Sequence, residues 1–265
     1  MKIPFFAAGL LAISVTAGFA ADLPARPYTK APIAPPAYNW TGCYAGANAG
    51  AVWGRQNVTS TATGPAWLVD APADVAATNA VASPNIRESN GEAGGQIGCN
   101  WQKSSWVFGF EADAEYMGQS RSSSSTVIVP VALTSVTANT STSSNYLSTV
   151  RGRLGFTPAD RWLAYVTGGL AVGRVGLSQS IFFAGSGSTA SGSTGSTQTG
   201  WVVGAGLEYG LTPNWSMRGE YLYVDLGSVS ANLFNPAFPT FTHTTSAKFT
   251  DNIARVGLNY RWGGL

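Results

Sequence analysis

The sequence predicts an all-β fold: an eight-stranded antiparallel up-and-down transmembrane β-barrel with four long extracellular loops and short periplasmic turns. Three observations carry this. Charged residues make up only 11% of the 265 residues, against about 25% in ordinary soluble domains. From Asn39 onward, segments of alternating character recur, joined by connections that are alternately long and short. Within those segments the charges take one parity and the aromatic rings the other.

The N-terminus reads MKIPFFAAGLLAISVTAGFAAD. Lys2, the apolar run from Phe5 to Val15 and the small residues Gly18 and Ala20 predict a secretory signal over residues 1–20. The competing reading is an uncleaved anchor, for which the apolar core is short. Residues 21–38, ADLPARPYTKAPIAPPAY, are Pro-rich and aperiodic, the composition of a semi-rigid periplasmic linker. Export therefore ends in the cell outer membrane, the periplasm or outside. The formal charge of +2, without a basic run, gives no support to nucleic-acid binding.

The barrel domain spans 39–262, with strands expected near 39–54, 91–102, 105–118, 146–157, 161–176, 199–211, 215–225 and 250–262. The short connections are the KSS, TPAD and TPN turns, and the long ones are 55–90, 119–145, 177–198 and 226–249. Successive side chains of a strand point to opposite faces. In WVFGFEADAEYMG, residues 106–118, that rule puts Trp106, Phe108, Phe110 and Tyr116 on one face and Glu111, Asp113 and Glu115 on the other. The other strands repeat the pattern, for example Leu154 and Phe156, Ala164 and Val166, and Ala205, Leu207 and Tyr209 on the aromatic face.

Eleven strand charges take the opposite parity: Glu92, Glu111, Asp113, Glu115, Arg151, Arg153, Glu208, Arg218, Glu220, Arg255 and Arg261. Independent choices of face would give this about once in two thousand. A lipid-facing Arg or Lys at mid-depth costs about 2–4 kcal/mol, which enforces the segregation. A soluble sandwich would place these charges outside. Trp40, Trp101, Trp106, Trp162, Trp215 and Trp262 cluster at the short turns and domain ends, the pattern of an aromatic girdle at one membrane interface. Trp53 and Trp201 sit at the opposite strand ends, suited to the upper belt, and Trp67 falls in a loop.

The interior of an eight-stranded barrel is just wide enough to be filled by side chains. The carboxylates of Glu111, Asp113, Glu115, Glu208 and Glu220 must then meet the guanidinium groups of Arg151, Arg153, Arg218 and Arg255. Counting from the turns sets Glu111 level with Arg151 and Glu208 opposite Arg218. An acid/base pair for glycoside hydrolysis and a metal held by the acidic row are the competing readings. Neither is needed to explain acids facing arginines, so no catalytic residue, metal or cofactor is assigned. His243, the sole histidine, is expected in the fourth long loop, without a role or as a metal or haem ligand. Cys43 and Cys99 fall on adjacent strands near the periplasmic end. They form a cross-strand disulfide in an oxidising compartment, or remain small lipid-facing residues.

The segments ADLPARPYTKAP, WTGCYAGANAG, GGQIGCNWQ, WVFGFEADAEY, VRGRLGFTPADRWLAYVTGGLA and ARVGLNYRW together resemble the small outer-membrane barrel proteins of alphaproteobacteria. That family includes surface antigens and haemin-binding porin-like proteins. More distantly, GFEADAEY and GLEYGLTPNWSMRGEYLYV are similar to strands of the OmpA transmembrane barrel. The second resemblance implies that Glu111, Glu208, Arg218 and Glu220 form a salt-bridge cluster able to gate a narrow path. Asn48 stands where that barrel carries an interior Lys, which departs from the switching pattern. The expected partners are outer-membrane lipids, lipopolysaccharide and, during biogenesis, the barrel assembly machinery reading Trp262 near the C-terminus. A structural role in the envelope with surface-exposed loops is the leading expectation. A narrow gated pore or haemin capture is the alternative, and a barrel lipid hydrolase comes third.

Overall fold

The computed structural model describes residues 38–63, 71–240 and 242–262. The expected signal peptide and nearly all of the Pro-rich linker lie outside the described residues, as does Trp67.

Eight strands make one closed barrel, each hydrogen-bonded to its sequence neighbour and the last to the first, all antiparallel. They are β1 (Gly42–Thr63), β2 (Asn85–Lys103), β3 (Trp106–Ile128), β4 (Ser135–Ala159), β5 (Trp162–Phe183), β6 (Ser188–Gly210), β7 (Trp215–Leu233) and β8 (Thr242–Trp262). Among the described residues one helix, α1 (Pro72–Val81), lies in the β1–β2 connection. Pro72 stands in its first turn, where a missing N–H costs nothing.

The strands run well past the expected boundaries. Much of each expected long loop is strand, and the connections at that end shrink to 64–84, 129–134, 184–187 and 234–241. A bilayer needs only about 9–11 tilted residues per strand, whereas β4 has 25 and β3 23. Roughly half of each strand therefore lies beyond the apolar band. The reason is chemical. Outside hydrocarbon a strand need not alternate rings with ions, and Ser and Thr occupy both faces, as in the STSS stretch of β4 and the STGSTQT stretch of β6. Such stretches lack the contrast that marks a membrane strand, although Thr suits a pleated surface.

Parity holds across the irregularities. The register of β3 against β4 slips between Tyr116 and Gln119, where Gly118 takes φ +57°. Such a bulge needs a residue that tolerates the left-handed region. Two interior rings also depend on missing side chains. Tyr44 lies opposite Gly98, and Tyr165 opposite Gly206. A Cβ on either glycine would run into the ring it faces.

Candidate functional site: a layered lumen inside two aromatic girdles

On the outside, Trp101, Trp106, Trp162, Trp215 and Trp262 are exposed in a ring at the short-turn end. They pair with strand neighbours: Trp106 with Phe156, Trp162 with Tyr209 and Trp215 with Tyr260, at centroid distances of 5.6, 4.9 and 5.1 Å. A second ring contains Trp53, Tyr116, Tyr146, Trp201 and Tyr223, with Tyr116 on Tyr146 at 5.3 Å and Trp201 on Tyr223 at 5.4 Å. Trp106 and Tyr116 are ten residues apart on β3, the length of one bilayer crossing. Between the rings lie Val166 at 57% and Leu207 at 55% exposure, with Ile97, Val150, Leu170 and Val256.

Trp40 departs from the expected girdle. It is 1% exposed and lies inside the barrel mouth with Val107, Leu163 and Tyr165. Its ring meets Tyr38 edge-on at 4.7 Å, and the Arg261 guanidinium lies 4.5 Å from the Tyr38 ring centroid. Trp40 precedes β1, so the strand's parity does not constrain it. At the open mouth a large ring gains more by covering the lumen than by facing lipid.

Above this cap is the ionic layer. All eleven inward charges are buried. Arg151 Nη2 donates to Glu111 Oε1 at 2.5 Å and to Asp113 Oδ2 at 2.6 Å, while Nη1 donates to Glu220 Oε1 at 3.0 Å. Arg255 Nη2 donates to Glu220 Oε2 at 2.6 Å and Asp113 Oδ2 at 3.2 Å, and its other Nη reaches Glu115. Arg218 pairs with Glu111, and Arg153 with Glu208. Glu111 and Arg151 are cross-strand neighbours. Glu208 and Arg218 are also opposite in register, yet each takes its partner across the lumen. The layer therefore ties β3, β4, β6, β7 and β8 together, where cross-strand pairs would tie only neighbours.

Neutral groups complete it. Tyr44 Oη donates to Glu111 Oε2 at 2.6 Å and accepts from Arg153 at 3.1 Å, and Tyr165 Oη donates to Glu220 at 3.1 Å. Arg153 also stacks on Tyr165, 3.8 Å from the ring centroid. Asn48 donates to Gln96 Oε1, Gln96 to Asn259 Oδ1 and Asn259 to Glu208 Oε1, at 2.7, 2.7 and 3.1 Å. Sequence reasoning assigned no role to Tyr44 or Tyr165. The available signal was an inward-parity phenol opposite a glycine.

The next layer is mainly apolar. Val52, Met117, Leu147, Val202, Leu222, Phe249 and Ile253 fill the lumen above the ions, and Asp251, between Phe249 and Ile253 on the inward face of β8, is buried with Gln56 and Gln119 over Gly54. A polar layer follows, beyond the upper girdle. There Ser60 Oγ lies 2.5 Å from His243 Nε2 and 2.8 Å from Thr245 Oγ1, and Gln179 Nε2 donates to Thr140 Oγ1 and the Ala82 carbonyl at 2.7 Å each. His243, expected in a loop, stands on β8 with its side chain enclosed. Burial pushes its imidazole down to about 4. A last apolar layer, including Val129, Val136, Ile181 and Leu233, closes the far end beneath α1.

Cys43 and Cys99, direct cross-strand partners, are joined by a disulfide. Among the described residues no group of three His, Cys, Asp or Glu is placed to hold a metal.

The family model of the outer membrane protein beta-barrel domain matches residues 6–261. The chain belongs to the outer-membrane β-barrel family. It is 32% identical over 262 residues to the 31 kDa outer-membrane immunogenic protein of Brucella melitensis, covering 96% of this chain and 98% of the relative. It is 26% identical over 257 residues to the 25 kDa outer-membrane immunogenic protein of Brucella abortus, covering 96% and 95%. The 22 kDa outer membrane protein of Rhizobium leguminosarum is 29% identical over 171 residues, 64% of this chain and 66% of the relative. Among solved structures, Ail of Yersinia pestis aligns over 83% of this chain and 99% of its own, at 12% identity and a TM-score of 0.38. This is an outer-membrane protein, and the exposed band between the aromatic rings faces lipid.

Proposed function

We propose that the barrel is a sealed structural element of the outer membrane that presents its long end at the cell surface, without catalysis or conduction. The observation that carries this reading is the alternation of ionic and apolar layers along the lumen. An ion entering the layer around Leu147, Leu222 and Phe249 would exchange its water for a mainly apolar lining, in which the described polar groups are the enclosed side chains of Asp251, Gln56 and Gln119. The guanidinium-bound carboxylates of Glu111, Asp113 and Glu220 are likewise enclosed, so no substrate reaches an acid/base pair. His243 and Ser60, a spacing reminiscent of a hydrolase, are buried on the lumen side of the wall. The same enclosure argues against His243 as a surface haemin ligand. The immunogenic naming of the Brucella relatives suits a protein whose long end is displayed outside.

Planar-bilayer recording of the purified full-length protein tests the reading. The expected result is a flat baseline. Reproducible conductance steps would contradict it and favour a pore through the ionic layer.

A further inference from the structure

Just above the upper girdle, the lipid-facing wall carries arginines that the closed lumen does not use. Arg55 on β1 is the direct cross-strand partner of Arg87 on β2. Both line an exterior groove of about 500 Å3 together with Arg121 of β3, and Trp53 and Tyr223 form part of the same groove. All three arginines are exposed. Like charges directly opposite on a sheet are destabilising. Among the described residues, no carboxylate lies within ion-pair distance of any of them. Glu88 also lines the groove, but it is buried and its Oε1 accepts from the Ser120 N–H at 2.8 Å and Asn90 Nδ2 at 3.2 Å. Lys248, another exterior cation at this end, is by contrast held by Asp225 at 2.9 Å.

Three cations converging without a counter-charge need an anion from outside the chain. The height fixes its kind. Trp53 and Tyr223 belong to the ring that marks the edge of the hydrocarbon, so the guanidinium groups stand at the level of lipid headgroups. Below them runs the exposed apolar band that acyl chains cover. Guanidinium groups bind phosphate oxygens through paired N–H donors, and a Trp face accommodates a sugar ring. We infer that Arg55, Arg87 and Arg121 form a binding site for the phosphorylated sugar headgroup of an outer-leaflet glycolipid, lipopolysaccharide, whose acyl chains lie along the wall beneath. The site rests on the outward orientation of the long end proposed above, but not on the lumen being sealed, so conduction measurements and this test fail separately.

The test titrates purified lipopolysaccharide into the full-length protein in phosphate-free, non-ionic micelles, read by tryptophan fluorescence and by the shift of the unfolding midpoint. Charged hydrogen bonds of this kind predict that Arg55→Gln/Arg87→Gln/Arg121→Gln binds about tenfold or more weakly. Chemically dephosphorylated lipopolysaccharide should bind wild type as weakly. Removal of two cations from the other end, in Lys103→Gln/Arg161→Gln, should leave binding unchanged. Equal losses in both variants would mean non-specific attraction and overturn the site. So would saturation by inorganic phosphate alone with no gain from the lipid. Arg87→Gln guards against misfolding: without lipid its unfolding midpoint should match or exceed wild type, because the Arg55–Arg87 repulsion is relieved. A lower midpoint there would show that the arginines serve the fold, and would overturn the inference.

Discussion

Arg151 touches Glu111, Asp113 and Glu220 at once, and its charge is what makes three buried carboxylates tolerable in one layer. Arg153 and Glu208 are a simpler pair within the same layer. Removing one member of a buried pair typically costs about 3–5 kcal/mol, whereas replacing both by apolar groups is often neutral. Arg153→Met is therefore expected to lower the urea midpoint of the barrel in lipid vesicles, and Arg153→Met/Glu208→Met to recover most of the loss. A double variant as unstable as the sum of the single ones would show that the pair has no mutual role. His243 gives a pH dependence at the outer end. Its imidazole titrates near 4 in the fold, below the ordinary value of about 6.5. Between those values the unfolded chain binds the proton and the folded chain does not, so the His243 contribution to stability falls as pH drops from about 6.5 to 4 and levels off below. Hydrogen exchange at Ser60 and Thr245 should quicken over that window, and His243→Gln should flatten the profile. Single residues are also where sequence reading had least purchase. Trp40 and His243 both lie beside or beyond the segments whose parity lipid enforces, and nothing local announces that each turns inward.

At the scale of elements, the membrane-crossing halves of the strands were legible because hydrocarbon imposes a rule on every second residue. A lipid-facing charge is so costly that the eleven inward charges identify the face by themselves. The outer halves of the same strands obey no such rule. Ser and Thr are acceptable on a wet strand and in a loop alike, so residues 188–198 read as a loop but pair with β5 throughout. The three groove arginines illustrate the same limit. They are separated by more than thirty residues each, and only the register of β1 against β2 and the groove that Arg121 also lines bring them together. The disulfide is an element-scale constraint, linking β1 to β2 across a sequence separation of 56. Closing a loop of that length is worth about 4 kcal/mol in the chain-entropy account. Cys43→Ser/Cys99→Ser should keep the heat-modifiable mobility of a barrel while unfolding at lower urea. Identical midpoints for the variant and the unreduced wild type would show that the bridge contributes nothing to stability.

At the scale of the whole molecule, the barrel is an inverted version of a soluble β protein in its membrane half and an ordinary one beyond it. Lipid replaces water as the outer solvent, so rings and aliphatics coat the wall and ions retreat to the lumen. Past the upper girdle the outer face becomes polar while apolar side chains such as Ile181 and Leu233 move inside. One closed sheet thus carries two opposite solvent rules along its length, and the change occurs at Trp53, Tyr116, Tyr146 and Trp201. Spin labels placed singly at Val166, Leu207 and Val256 on the wall, and at Leu163 and Val202 in the lumen, measure that arrangement most directly in reconstituted bilayers. Collisions with dissolved oxygen, which concentrates in hydrocarbon, should be frequent at the first three and rare at the last two. Shielded labels at 166 and 207 beside oxygen-accessible ones at 163 and 202 would contradict the account.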